Sequence, residues 1–199
     1  MGIWLSDGGL RMPKNKVKFN VKNVHYALLT ETEEGTITYG TPVAIPGARS
    51  LSMDAQGDLT KWYADGMVYY TTAANNGYDG SLEVAMFPES FRTDVLGETL
   101  DEKKVLVENA NVEPKRFALL FEFDGDQKGI RHVMYNCVAT RPAVSGNTVE
   151  ESKEPETETA SITASPLSDG RVKAKTSDST DEVTYTNWYK NVYVSTQEK

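Results

Sequence analysis

The imidazole and thiol groups of this sequence number three: His25, His132 and Cys137. A hydrolytic triad needs a histidine beside a nucleophile and a third group to orient the ring. Both histidines instead fall inside alternating, strand-like runs, where a ring at a sheet surface or in a satisfied hydrogen bond is expected. Cys137 alternates with Val133, Tyr135 and Ala139, which predicts a small buried hydrophobe over a reactive thiol. A lone cysteine admits no intramolecular disulfide, and these three residues lack the ligand spacing of a zinc site. Asp124-Gly125-Asp126-Gln127-Lys128-Gly129 opens like a calcium loop. Its fifth and twelfth positions, where an EF-hand needs an oxygen ligand and a bidentate glutamate, hold Lys128 and Tyr135. A hairpin turn between strands at 117–123 and 130–139 explains these residues better. The 29 acidic residues offer too many carboxylate pairs for any one to signal glycoside chemistry. Neither a Walker-type loop nor a dinucleotide fingerprint occurs. No catalytic, cofactor-binding or metal-binding set is expected, and so no enzyme.

The elements that carry these residues are strands. Val17, Phe19 and Val21 alternate with Lys18, Asn20 and Lys22; after Asn23 the phase slips and Val24, Tyr26 and Leu28 take the apolar side. Such a slip predicts one long strand bent by a β-bulge. Alternation recurs at Leu82-Val84-Met86, Phe117-Leu119-Phe121-Phe123 and Val133-Tyr135-Cys137. It returns more weakly at Ala160-Ile162-Ala164, Val172-Ala174 and Trp188-Val192-Val194. Turn clusters separate these runs, which argues for a β-sandwich or barrel. One helix is expected over about 88–96: Pro88 and Glu89 suit its start, Phe87, Phe91 and Val95 recur every four residues, and Gly97 suits its end. Residues 52–66 read as a long loop, polar except for Trp62 and Tyr63. Residues 147–158 read as an acidic loop. Arg11–Lys22 holds five basic residues and no acidic one.

A chain of 199 residues with 39% apolar and 10% aromatic residues is expected to fold as one domain with polar surface. Its net charge of −8 disfavours affinity for a phosphate backbone, although not proximity to one. No apolar run reaches the ~20 residues of a membrane span, and no secretory signal is read. The opening Met1-Gly2-Ile3-Trp4-Leu5-Ser6 fits a myristoylation pattern that recurs by chance. Met12-Pro13-Lys14 looks like an equally good natural start, leaving 1–11 as an extension.

The run Trp62-Tyr63-Ala64-Asp65-Gly66-Met67-Val68-Tyr69-Tyr70, followed by Asn75-Asn76-Gly77-Tyr78-Asp79-Gly80, resembles the major tail proteins of the phi13-type siphophage family. So does Phe87-Pro88-Glu89-Ser90-Phe91-Arg92-Thr93-Asp94-Val95-Leu96-Gly97. Lys14-Asn15-Lys16-Val17-Lys18-Phe19 with Lys22-Asn23-Val24-His25-Tyr26-Ala27 is similar to the start of that family. Further matches are Phe117-Ala118-Leu119-Leu120-Phe121-Glu122, Arg131-His132-Val133, Tyr135-Asn136-Cys137, Arg141-Pro142-Ala143-Val144-Ser145-Gly146 and the closing Trp188-Tyr189 with Val192-Tyr193. Each is weak alone; in order, over residues 12 to about 195, they are specific.

The resemblance implies a mainly β, tail-tube-type sandwich or barrel of two packed sheets, with one short flanking helix and an extended arm and loop. It makes 12–199 a single tail tube domain. Such subunits form hexameric rings whose inner strands join into one barrel, and the rings stack. It implies a place in the phage tail after assembly in the bacterial host cytoplasm. The implied partners are further copies, the tail-length (tape measure) protein, the tail terminator and the distal tail protein. DNA would pass through the lumen without specific binding, repelled by acidic charge on the wall. No cofactor is implied. The 52–66 loop and the arm at 12–18 then become inter-subunit contacts, with Lys14, Lys16, Lys18, Trp62, Tyr63 and Asp65 as the contact residues. Trp62 and Tyr63 closing one end of their own barrel is the competing reading. The acidic 147–158 segment reads as an outward, solvated hairpin over a partner for the basic arm. The functional alternative is a β-sandwich module of the phage particle that binds carbohydrate or a receptor.

Overall fold

The computed structural model describes residues 14–148 and 155–195. Residues 1–11, expected as an extension, and half of the acidic 147–158 segment (149–154) lie outside the described residues. Among those described, the chain runs β1 (Lys18–Glu31), β2 (Ile37–Tyr39), β3 (Val43–Ala44), β4 (Ala48–Gln56), β5 (Leu59–Ala64), β6 (Met67–Ala73) and β7 (Gly77–Val84). Helix α1 (Glu89–Asp94), β8 (Thr99–Leu100) and β9 (Leu106–Val107) follow. The chain then continues through β10 (Phe117–Gly125), β11 (Ile130–Ala139), β12 (Glu158–Ala164), β13 (Lys173–Lys175) and helix α2 (Glu182–Asn187).

The expected β class holds, with one change of architecture. A single antiparallel sheet in the order β2-β1-β10-β11-β12-β7-β4, with β3 on β1 and β13 on β11, takes the place of two separate packed sheets. Pairs β5-β6 and β8-β9 stand apart as two-stranded sheets. β4 approaches β1 without joining it by strand pairing, so the barrel does not close within the chain.

The period-two pattern positions two cores. Val24 and Tyr26 of β1, Phe117, Leu119 and Phe121 of β10, Leu82 and Val84 of β7, and Ala160 and Ile162 of β12 meet Phe87, Phe91, Val95 and Leu96 around α1. The intervening residues Ala27, Ala118, Leu120, Val133 and Tyr135 face the other way, against Leu167 and Trp188. Both faces of β10 are therefore covered, which is why Phe117–Leu120 reads as an unbroken apolar run.

The bulge expected near Asn23 is present: pairing with β10 slips between Lys22 and His25, and Asn23 has φ 52. A second slip lies between Phe19 and Val21, where Asn20 has φ 28. Asparagine tolerates this left-handed backbone better than most residues. α1 is also as expected, starting after an extended Pro88 and ending before Gly97 at φ 78. Arg92 ties it down, reaching Glu98 at 3.2 Å and Glu158 at 2.7 Å.

Two expectations fail. Residues 52–66 are the end of β4 and all of β5, joined by a short kink. The C-terminal run expected as a strand around Trp188-Val192-Val194 instead follows α2. Asp181 caps that helix by accepting from the Thr184 N–H at 2.8 Å. A four-residue step such as that from Trp188 to Val192 keeps to one face in a strand and in a helix alike, so it does not distinguish the two.

Candidate assembly surface

β4 and β7 pair from Ala48↔Val84 to Gln56↔Gly77, and pairing resumes in β5 and β6 from Leu59↔Ala73 to Ala64↔Met67. The two ladders make one ribbon with a kink. Gly57 sits there at φ +147, and a Cβ at that position would lie 2.0 Å from the Ala74 carbonyl oxygen. Only glycine fits. Hydrogen bonds from Ala74 N to Asp58 O (3.0 Å) and from Asn76 N to Gln56 O (2.9 Å) carry the ribbon across the break. At the tip Asp65 (φ 51) and Gly66 (φ 77) form a two-residue turn with both positions left-handed, whose twist matches that of the flanking strands.

Among the described residues, β5 and β6 pair only with each other. All of β6 is exposed, and all of β5 except the half-buried Ala64. Trp62 is 58% exposed, Tyr63 61%, Tyr69 71% and Tyr70 62%, with Leu59, Met67 and Val68 beside them. Trp62 and Tyr63 therefore do not close the chain's own core. An isolated two-stranded hairpin is marginally stable in water, and a contiguous exposed apolar patch marks an interaction site.

The six contact residues expected from sequence separate into two groups. Trp62 and Tyr63 lie on β5, while Asp65 has a conformational task in the turn. Lys14, Lys16 and Lys18 lie toward the opposite margin, where Asn15 pins the arm to the β10–β11 turn. Its Oδ1 accepts from Gln127 N (2.8 Å) and Lys128 N (3.0 Å), and its Nδ2 donates to Lys128 O (2.7 Å). The Lys16 N–H donates to Asp126 Oδ1 at 2.8 Å and holds that carboxyl below its usual range. The Lys18 ammonium lies 4.6 Å from the Phe123 ring centre. Residues 14–18 thus make contacts within their own chain. Missed from sequence were the exposed Met67, Val68, Tyr69 and Tyr70 as the second half of the patch. The signal was the Asp-Gly pair at 65–66 between two aromatic runs.

The groups first weighed for chemistry are packed into structure. His132 stacks on Phe121 with ring centres 5.0 Å apart and planes 4° apart. Burial, then Lys175, Lys173 and Lys18, push its imidazole down to about 4. His25 lies over Tyr189, ring centres 4.7 Å apart. Burial pushes the Cys137 thiol up to about 12, leaving it fully buried and protonated. Asp124 forms an ion pair with Lys22 beside the hairpin turn. The buried Glu122 takes Arg131 Nε at 2.8 Å and Lys22 Nζ at 3.4 Å. Arg131 also lies 3.8 Å over the Tyr185 ring, joining α2 to the sheet.

No helix among the described residues is long and apolar enough to cross a membrane. No curated protein matches the chain. The family model described as "Phage tail tube protein" matches residues 12–192, nearly all of the chain and all of its described strands. An antiparallel sheet left open at its margins, with a projecting aromatic ribbon, suits a subunit built to be completed by others. The chain belongs to the phage tail tube protein family, the structural subunits of the phage tail.

Proposed function

We propose that this tail tube subunit assembles into hexameric rings that stack into a conduit for DNA delivery into the host. The observation that carries the reading is the β5–β6 ribbon. It exposes its aromatic residues to solvent and, among the described residues, pairs with no other strand of its own chain. Burial of Trp62, Tyr63, Tyr69 and Tyr70 between copies supplies the apolar driving force that the monomer leaves unused. The open sheet margins supply backbone groups for continuing the sheet between subunits. With each copy at −8, acidic charge on the lumen wall keeps DNA sliding. The ends of the stack engage the tail terminator and distal tail proteins, and the tape measure protein sets its length. Assembly takes place in the host cytoplasm.

The alternative use of the same side chains, a platform for a sugar ring, suits the geometry less well. Trp62 and Tyr69 meet at 81°, edge to face, and offer no shared flat surface. Negative-stain microscopy of the purified protein, alone and seeded with tail fragments, tests the proposal. Rings and tubes with a central channel are expected; a monomer under both conditions overturns it.

A further inference from the structure

Among the described residues, the sheet leaves one broad face uncovered. β4, β7 and β12 lie side by side, and their alternate residues Leu51, Leu82, Val84, Ala160 and Ile162 enter the core around α1. The residues between them form three rows across the strands: Ser50-Glu83-Thr159, Ser52-Ser81-Ser161 and Asp54-Asp79-Thr163. Gln56 follows on β4, while Thr140 and Val138 of β11 extend the second and third rows. All stay exposed except the half-buried Ser81 and Glu83 of the central strand. Hydroxyls and carboxylates dominate, and Val138 is the sole large apolar side chain among them.

No lysine or arginine stands in these rows, whereas Asp54, Asp79 and Glu83 do. Arg49, at the bulge near the start of β4, lies 3.1 Å from Glu83 and offsets that charge. Asp54 and Asp79 are direct register partners and, among the described residues, form no ion pair. Like charges opposed on neighbouring strands destabilise a sheet, so the isolated subunit gains nothing from this pair. Nor does the face suit contact with protein. Interfaces are enriched in aromatic, methionine and arginine side chains and poor in serine, aspartate and glutamate. Aromatic and methionine side chains lie on the β5–β6 ribbon instead.

β4 is also a free margin of the sheet. A sheet continued through β4 into the next copy has two sides. The chain's own core and α1 fill one of them, so an open channel lies on the other. We infer that the outward face of β4, β7 and β12 is the lumen wall of the tube, a hydroxyl-lined surface on which Asp54, Asp79 and Glu83 repel the phosphates of passing DNA. The inference rests on the tube reading and assigns the wall within it. The opposition of Asp54 and Asp79, a cost to the solitary chain, then has a use in the assembled one.

Cys137 leaves a silent background for thiol labelling, being fully buried with its thiol pushed up to about 12. Ser52→Cys and Ser161→Cys, on different strands, each add one reactive thiol. Both should fold by circular dichroism and form tubes as wild type does, since a water-lined wall touches no partner. Unassembled subunits should react with a small methanethiosulfonate and with a maleimide carried on a large polymer. In tubes the small reagent should still react, because water fills the lumen, while labelling by the polymer should be lost. Labelling of tubes by both reagents would place the face outside the tube, and labelling by neither would bury it between copies. Either result, or loss of tubes in both folded variants, overturns the wall assignment while leaving the tube reading intact. Wild-type protein that never assembles overturns both.

Discussion

The Trp62 indole meets the Tyr69 ring edge to face at 5.7 Å, although the register partner of Trp62 is Tyr70. The ladder slips between Trp62 and Tyr63, since Tyr63 pairs with Val68, and Tyr69 is the extra residue of a bulge. The bulge sets the Tyr69 ring against Trp62 on a ribbon that, among the described residues, has no core beneath it. An aromatic pair of this kind contributes about 0.5–1.5 kcal/mol beyond its area, too little to order a hairpin alone.

Replacing Trp62 and Tyr63 with alanine should therefore leave monomer stability within about 0.5 kcal/mol of wild type, since both are more than half exposed. Tube formation should be lost. Urea denaturation reads the first expectation and microscopy the second; tubes of normal length and stability would remove the anchoring role.

Gly57→Ala drives a methyl group into the Ala74 carbonyl, whereas Gly66→Ala meets nothing within 4 Å and carries only the strain of a positive φ. The first should cost more than the about 1 kcal/mol expected of the second and should misdirect the ribbon. Comparing the two melting curves and tube yields separates kink geometry from turn strain. Equal effects on both would show that the kink is not a fixed joint.

Arg131→Ala leaves the Glu122 carboxylate buried with only the longer contacts from Lys22 and Asn23, and removes one of the two cations over Tyr185. Removing one partner of a buried pair costs about 3–5 kcal/mol. The loss should appear in urea unfolding, with early hydrogen exchange in 182–189. Arg131→Ala/Glu122→Gln should recover part of it.

His132 is held neutral, its folded value near 4 against an ordinary 6.5. The unfolded chain binds the proton more readily, so stability is fully present above pH 6.5 and is lost as pH falls from there toward 4. About 2 kcal/mol should disappear across that window. A His132→Gln variant should show a flatter slope between pH 4.5 and 6.5 in thermal melts; an unchanged slope would assign it to other groups.

Much of the large sheet could be read from alternation, because its strands present alternate residues to the core around α1 and, in β1, β10 and β11, to the C-terminal segment. The bend at Asn23 announced itself as a one-residue phase slip. The ribbon did not, because β5 and β6 bury neither face and so carry no alternation; its one local signal was the Asp-Gly turn. α2 was hidden for a different reason. A six-residue helix offers less than two turns of periodicity, and its cap at Asp181 is a stronger mark than its apolar spacing. Trp62 and Tyr63 were recognisable as candidate contacts by their isolation in a polar stretch. Asp65, named beside them, has φ 51 and forms the turn of the ribbon.

The two bulges of β1 make the margins of the sheet unequal. Lys18–Asn23 is bent at Asn20 and Asn23 and studded with Lys18 and Lys22, whereas β4 runs nearly straight beyond its first residues. Bends and lysines are what keep a bare strand from templating fibrils. On the proposed assembly, solitary chains awaiting a growing tail would thereby be spared indiscriminate side-by-side aggregation at one flank.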